Sequence, residues 1–337
     1  MATPVNNSAW VEWMTTLMGG VSRQTCAATF PPNRFYCLLD ELPMHLVPQR
    51  FRRKLRAEGE RTLFLNPECT LYTAGQAPDE VADELLSRFA MQGTMAWIRE
   101  AECGSLLPFW LGPTYEAFVS DLRAGEEVPS SIPSGARTVL AAAGIFVSGD
   151  DRGEVARNSA TEFQEKGYAP LGDLIHPFHV AALRRYYRHL IRTGEIRLGD
   201  NQSNRRYVAH NEPVARFFHA QLAGKLGAVA GLKLEPSYVY MASYLSGSEL
   251  KKHTDREQCE YSVTFCLDFS PEPALATPWP IRLDTPTGTV TVYQALGDGL
   301  AYRGTRLPHY RSKLPEGQTS TSIFFHYVSE DFVGPLE

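Results

Sequence analysis

No two of the six cysteines in this 337-residue chain are spaced as C-x-x-C; they stand at positions 26, 37, 69, 103, 259 and 266. That spacing excludes the paired-thiolate knuckles of structural zinc sites and offers no disulfide framework. Most of these cysteines are therefore read as reduced, buried small hydrophobes. The chain also lacks any apolar run of about 18 residues, the length a membrane-spanning helix needs, so no membrane partner is expected. Its first residues, MATPVNNSAWVEW, lack the basic start and apolar stretch of a secretory signal, which sets the expectation of a cytoplasmic protein. Nor is there an excess of positive charge. A formal net charge of −5 gives no reason to expect a nucleic-acid partner.

What is present is ordinary soluble-protein composition, 43% hydrophobic and 21% charged, over a length sufficient for two domains. Residues 1–155 read as a mixed, helix-rich accessory domain. Ala9–Met18 is a short amphipathic helix candidate. RTLFLNPECTLYTAG, residues 61–75, has the texture of a strand or hairpin. Asp79 opens a helical pattern that runs to Glu102, with acidic residues in its first turn, and a further helix is expected over Tyr115–Ala124. The basic run Gln49–Arg61 reads as a solvated helix face. Trp10, Trp13, Trp97 and Trp110 read as packing residues. The polar stretch Ser148–Ala160 is the best place for a boundary, which leaves 156–337 as the second domain.

Beyond it, Pro177 suits the first turn of a helix that Gly194 stops, and a second helix is expected from Glu212 to Ala230. His176, His179 and His189 lie among Arg184, Arg185, Arg188 and Arg192, so a solvated basic face is expected there. Residues 200–211, DNQSNRRYVAHN, read as a long polar loop. From Pro236 the pattern becomes eight short strands punctuated by Gly, Pro and Asp turns. Two packed sheets of four make a jelly roll. The fold class expected is thus α+β: a C-terminal double-stranded β-helix, cupin-like, with flanking helices.

Three residues give that barrel a chemical centre. His253 and Asp255 sit one residue apart on or just after the second strand, where i and i+2 share a face. His309 falls on the seventh. Two imidazoles and one carboxylate can form a facial triad on a metal and leave other coordination positions open. A closed structural zinc site would want a fourth protein ligand, and none is placed to serve.

The run Tyr244-Leu245-Ser246-Gly247 followed by Leu250-Lys251-Lys252-His253-Thr254-Asp255 resembles the Fe(II)/2-oxoglutarate-dependent dioxygenase superfamily, in its prolyl-hydroxylase-like branch. Glu165–Leu171 also looks like the first strand of that family, and the resemblance covers about residues 160–330. It implies that His253, Asp255 and His309 hold Fe(II), with 2-oxoglutarate and O2 as co-substrates. It further implies oxidation of a substrate C–H with release of succinate and CO2. A carboxylate at Asp255 speaks against the family's halogenase variants, which have a small residue there. The family usually carries a basic residue on the eighth strand for the far carboxylate of 2-oxoglutarate, but here that region is Gln318–Ser322. Arg311, on the face of His309, is the substitute, with a surface ion pair as its other reading. Tyr244, Thr319 and Thr321 could add hydroxyl donors. Arg303 and Arg306 read as solvent-facing or as contacts for a substrate carboxylate. Tyr240, Tyr261 and Tyr302 read as barrel packing, and His326 as a satisfied histidine.

The function expected from these readings is hydroxylation of an amino acid, a peptide or a small natural product. Desaturation, epimerisation or ring formation on the same fold, and a non-catalytic cupin-like binding protein, are the alternatives. Residues 1–155 would shape substrate access or make a homodimer.

Overall fold

The computed structural model describes residues 35–52, 55, 62–73, 76–81, 93–148, 157–201 and 203–337. The helix expected at Ala9–Met18, with Trp10, Trp13 and Cys26, lies outside them. The chain divides into two units, 1–47, 51–100 and 106–153 against 48–50, 101–105 and 154–337.

In the first unit, β2 (Cys69–Tyr72), β3 (Met95–Arg99) and β4 (Leu106–Trp110) form an antiparallel sheet in that order, and β1 (Leu63–Leu65) pairs with β5 (Phe146–Ser148). Residues 61–75, read as a strand or hairpin, hold two strands that do not form a hairpin, since each pairs elsewhere. The helical reading through Glu102 is corrected at β3. Met95, Ala96, Trp97 and Ile98 are all buried, and an apolar run covered on both faces has no period that separates helix from strand. Helix α1 (Gly112–Val119) starts three residues before the expected Tyr115, and α2 is Ser134–Ala142. Trp97 and Trp110 are buried in this unit.

The second unit opens with α3 (Arg157–Lys166), β6 (Tyr168–Leu171) and α4 (Pro177–Arg192). Pro177 begins α4 where its missing N–H costs nothing, and Gly194 follows its end at φ 79°. After β7 (Arg197–Leu198) and β8 (Arg206–His210) comes α5 (Pro213–Ala230). The Glu212 side chain caps α5 by accepting from the Ala215 amide at 3.1 Å. It also accepts from the Tyr186 and Tyr187 hydroxyls at 2.8 and 2.7 Å, tying α4 to α5.

Eight strands follow: β9 (Leu234–Tyr244), β10 (Leu250–His253), β11 (Tyr261–Ser270), β12 (Ile281–Thr285), β13 (Gly288–Val292), β14 (Gly299–Tyr302), β15 (His309–Arg311) and β16 (Thr319–Ser329). Their hydrogen-bonded order is β14-β11-β16-β9 in one sheet and β10-β15-β12-β13 in the other. Apart from the β12–β13 hairpin, which stays within the smaller sheet, successive strands cross between the two layers as a jelly roll requires. β6 extends one edge of the larger sheet and β8-β7 the other. The stretch 200–211 is therefore not all loop. Residues 206–210 form β8 because the edge of β9 needs a partner, and Arg206 sits across from Tyr244. Inside the barrel, Ala242, Tyr244, Cys266, Phe269, Trp279, Leu296 and Leu314 form one apolar cluster. Among the described residues no helix is long and apolar enough to cross a membrane, and the described cysteines are all free.

The basic face expected on α4 is also corrected. Arg184 is 1% exposed. Its Nε donates to Asp268 at 2.9 Å and its Nη2 to Glu272 at 2.9 Å, while Arg188 grips the same Asp268 at 2.6 and 2.9 Å. Asp268 stands beside an irregularity in the β11–β16 register. His179 is buried as well. Removing one partner of a buried ion pair strands the other charge. Arg184→Ala should therefore lower unfolding stability by about 3–5 kcal/mol, read from denaturant midpoints, with Arg188→Ala costing clearly less because it is partly exposed.

Candidate metal centre

β10 and β15 pair so that His253 lies directly across from His309, and their rings are 4.4 Å apart between centroids. Asp255 is not on the strand with His253. It lies just past the end of β10, where its backbone N–H donates to the Gly304 carbonyl at 2.9 Å. The loop, rather than strand alternation, brings its Oδ1 to 3.6 Å from His253 Nε2 and 3.5 Å from His309 Nε2. The three ligand atoms all lie within 4.8 Å of one another.

The tautomers follow from the backbone. His253 Nδ1 is 2.8 Å from the Lys251 carbonyl, and His309 Nδ1 is 3.0 Å from the Leu307 carbonyl. A carbonyl only accepts, so each Nδ1 carries the proton and each Nε2 presents a lone pair. Two Nε2 lone pairs and a carboxylate oxygen thus face one point with no proton to share in their neutral state. Such an arrangement wants a cation. Adjacent ligands of a six-coordinate ion stand about 3 Å apart, so a small contraction of the present spacing would seat one. His309 is buried, whereas the His253 side chain is 40% exposed, so one side of the point opens outward.

The electrostatics agree. The neighbouring Asp255 carboxylate raises the His253 pKa above its ordinary value, against the opposing effect of burial. Burial works against the Asp255 charge, yet contact with His253 and His309 holds its pKa well below the usual carboxylate range. Asp255 Oδ2, turned away from the imidazoles, accepts from the Ser262 hydroxyl at 2.8 Å.

Deeper in the barrel, Arg311 is only 4% exposed, so the surface ion-pair reading is excluded. Its Nη1 donates to the Trp279 carbonyl at 2.6 Å and its Nη2 to Gln294 Oε1 at 3.0 Å, and its guanidinium stacks 4.9 Å over the Trp279 ring. Among the described residues no carboxylate pairs with it, and its buried Nε has no hydrogen-bond partner. Gln294 Nε2 continues the chain to the Thr264 carbonyl at 2.8 Å. The Thr264 hydroxyl is buried and equally unpartnered. Tyr244 is buried on β9, with its ring against Trp279 and its hydroxyl 3.4 Å from Arg206 Nη1. Arg206, for its part, is neutralised by Asp200, which also accepts from the Tyr240 hydroxyl at 2.6 Å.

Thr319 and Thr321 do not join this lining. β16 pairs Ser320 with Tyr244 and Thr321 with Ser243, and neighbours along a strand face opposite ways. Thr321 therefore lies on the helix-facing side, donating to the Ser243 hydroxyl at 2.8 Å. Ser320 and Ser322 hold the inward positions. Arg303 lies over the Phe163 and Tyr261 rings at 5.6 and 5.7 Å. Three residues near the centre carry no motif: Ser262, Thr264 and Gln294 are ordinary strand and loop residues until the register places them. Tyr302, read as packing, is buried, with its hydroxyl 3.4 Å from His309 Nε2.

No family model matches the chain and no curated protein matches it. Solved structures are similar over about half of its length. The epimerase SnoN from nogalamycin biosynthesis, α-ketoglutarate dependent, is 13% identical over 50% of this chain and 80% of its own, with a TM-score of 0.43. A Pseudomonas putida prolyl-4-hydroxylase is 18% identical over 50% and 97%, at 0.42. HygX from Streptomyces hygroscopicus, solved with nickel, 2-oxoglutarate and hygromycin B, is 15% identical over 53% and 89%, at 0.42. The assignment of a jelly roll rests on the strand order itself.

His253→Ala or Asp255→Ala should abolish divalent-metal binding, measured by anaerobic calorimetry, while leaving the fold intact by circular dichroism. In the intact protein, protons compete for Nε2. Because the His253 pKa is raised, metal affinity should rise with pH through and somewhat beyond the ordinary imidazole range and fall steadily toward acid. A pH-independent affinity would exclude the histidines as ligands.

Proposed function

We propose that the chain is an Fe(II)- and 2-oxoglutarate-dependent oxygenase whose chemistry is carried by residues 156–337. The observation that supports this reading is the pair of requirements built into one barrel: a meeting point of two Nε2 atoms and one carboxylate oxygen, and a buried arginine with which no carboxylate among the described residues pairs. The first suits a divalent metal in a facial triad. The second suits the far carboxylate of a dicarboxylic acid, which a guanidinium can bind through two parallel hydrogen bonds.

His253, Asp255 and His309 would hold Fe(II), presenting Nε2, Oδ1 and Nε2. Iron bound there supplies oxidative chemistry with O2, in which 2-oxoglutarate is split to succinate and CO2 and one oxygen atom goes to the substrate. The protein's own part is placement. The Lys251 and Leu307 carbonyls fix both imidazole tautomers. Arg311, steadied by the Trp279 carbonyl and Gln294, has its Nε free to orient the co-substrate, with the Thr264 and Tyr244 hydroxyls as further partners. The apolar cluster of Trp279, Phe269 and Leu314 keeps water from that end. On the open side, His253 leaves access for an organic substrate.

Hydroxylation of an amino acid, a peptide or a small natural product is the outcome we assign. The nature of the oxidised product is set by where a substrate carbon lies relative to the metal. Anaerobic addition of Fe(II) and then 2-oxoglutarate should develop a weak visible charge-transfer band. Iron binding without the band would separate the metal site from the co-substrate. Arg311→Ala should raise the 2-oxoglutarate concentration needed for the band or for succinate release by about tenfold or more, which is 1.4 kcal/mol or above. An unchanged requirement would move the carboxylate contact to another residue.

A further inference from the structure

The carboxylate of Asp255 is held from behind by a chain of two side chains that the metal site itself does not require. The Ser262 hydroxyl, on β11, is 2.8 Å from Asp255 Oδ2 and 2.9 Å from His326 Nδ1, on the neighbouring β16. It also lies 3.4 Å from the Cys259 carbonyl, a longer and weaker contact. Residues 262 and 326 are register partners across the two strands, and both are buried. A hydroxyl has one proton to give. Asp255 Oδ2, an ionised acceptor at the shorter distance, takes it. The contact with His326 then has to run the other way, from Nδ1–H to the serine oxygen. His326 can serve as that donor in its neutral form, since burial pushes its pKa down to about 4 and a neutral ring has a single N–H.

The junction has no slack. A Cβ added to Gly304 would stand 2.5 Å from both Asp255 Oδ2 and Ser262 Oγ, and would also strike the Cys259 carbonyl. The backbone at 304 therefore closes the third side of the carboxylate, while its carbonyl accepts from the Asp255 N–H.

We propose that Ser262, aligned by His326, is a positioning residue that engages Asp255 Oδ2 and so commits Asp255 to bind metal through Oδ1 alone. This rests on the metal-centre reading above. A carboxylate free to rotate could present both oxygens and occupy an additional coordination position. With Oδ2 held, that position stays open for co-substrate and O2. Groups behind a ligand typically alter metal affinity by about ten- to a hundredfold when removed.

The test uses Co(II) binding to the whole chain, with affinity from titration and coordination from the visible spectrum. Ser262→Ala should weaken Co(II) at least tenfold and change the intensity of its d–d bands, as a one-oxygen Asp255 becomes a two-oxygen one. His326→Asn, whose amide nitrogen takes the place of Nδ1, should keep the wild-type spectrum. His326→Gln, which moves the donor toward the Nε2 position, should not. Wild-type affinity and bands in Ser262→Ala, or equal effects of Asn and Gln at 326, would overturn the positioning role. A second readout needs no metal: 15N shifts of His326 in the metal-free protein should show the proton on Nδ1, and a proton on Nε2 would overturn the relay. If the wild-type chain takes up no Co(II), the metal-centre reading and the positioning role fall together, and the His326 tautomer separately decides whether the hydrogen-bond chain exists.

Discussion

The pairing of β10 with β15 sets His253 across from His309, and the polar architecture around the centre answers the problem this creates. Two imidazoles with rings 4.4 Å apart, both turned toward one carboxylate oxygen, would ordinarily relieve themselves by rotating or taking up protons. Here each ring is held by a backbone carbonyl, the Asp255 carboxylate accepts from Ser262, and the Asp255 backbone N–H donates to the Gly304 carbonyl. The donors are thus assembled before anything binds. That arrangement lowers the reorganisation a cation would have to drive. The Asp255 carboxylate also favours a proton on His253, so protons compete with a cation at this point.

Three arginines of the second unit are each 4% exposed or less, and they show how differently a buried cation can be accommodated. Arg184 meets Asp268 and Glu272, and Arg206 meets Asp200. These two are compensated charge for charge, as buried structural ion pairs must be. Arg311 meets a carbonyl, an amide oxygen and the face of an indole. Dipoles soften the burial of its charge without cancelling it, and burial accordingly pulls its pKa below the ordinary value. Placed in the same barrel as the metal donors, that unbalanced charge is better explained by an anionic ligand than by stability. That guanidinium lies on β15, the strand that also carries His309, and the proposed co-substrate site rests on it.

Much of the second unit could be read from residues alone, and the reason is periodicity. Eight short strands with turn residues between them, two helices with Pro177 and Pro213 in their first turns and glycines beyond their ends, and the spacing of His253, Asp255 and His309 are local signals. Local rules found these elements, although β10 stops at His253 and leaves Asp255 to the loop beyond it. What failed failed where covering on both sides removes the pattern. Met95–Ile98 is apolar throughout and became most of a strand, Arg184 is charged yet buried, and Arg206 sits in a polar stretch that the free edge of β9 recruits as β8.

Eight strands suited to a jelly roll, and the trio of His253, Asp255 and His309, could be picked out from residues alone, because strand period, turn chemistry and ligand type are properties of short stretches. Three-dimensional packing was needed to show which oxygen of Asp255 faces the histidines, that Arg311 is buried with no carboxylate among the described residues against it, and that Thr319 and Thr321 face away while Ser320 and Ser322 face in. Only it brought Ser262 and His326 together, since a one-residue change of register between β11 and β16 would turn either to the other face. Register is fixed by packing across the whole sheet, and no short stretch of the chain contains it.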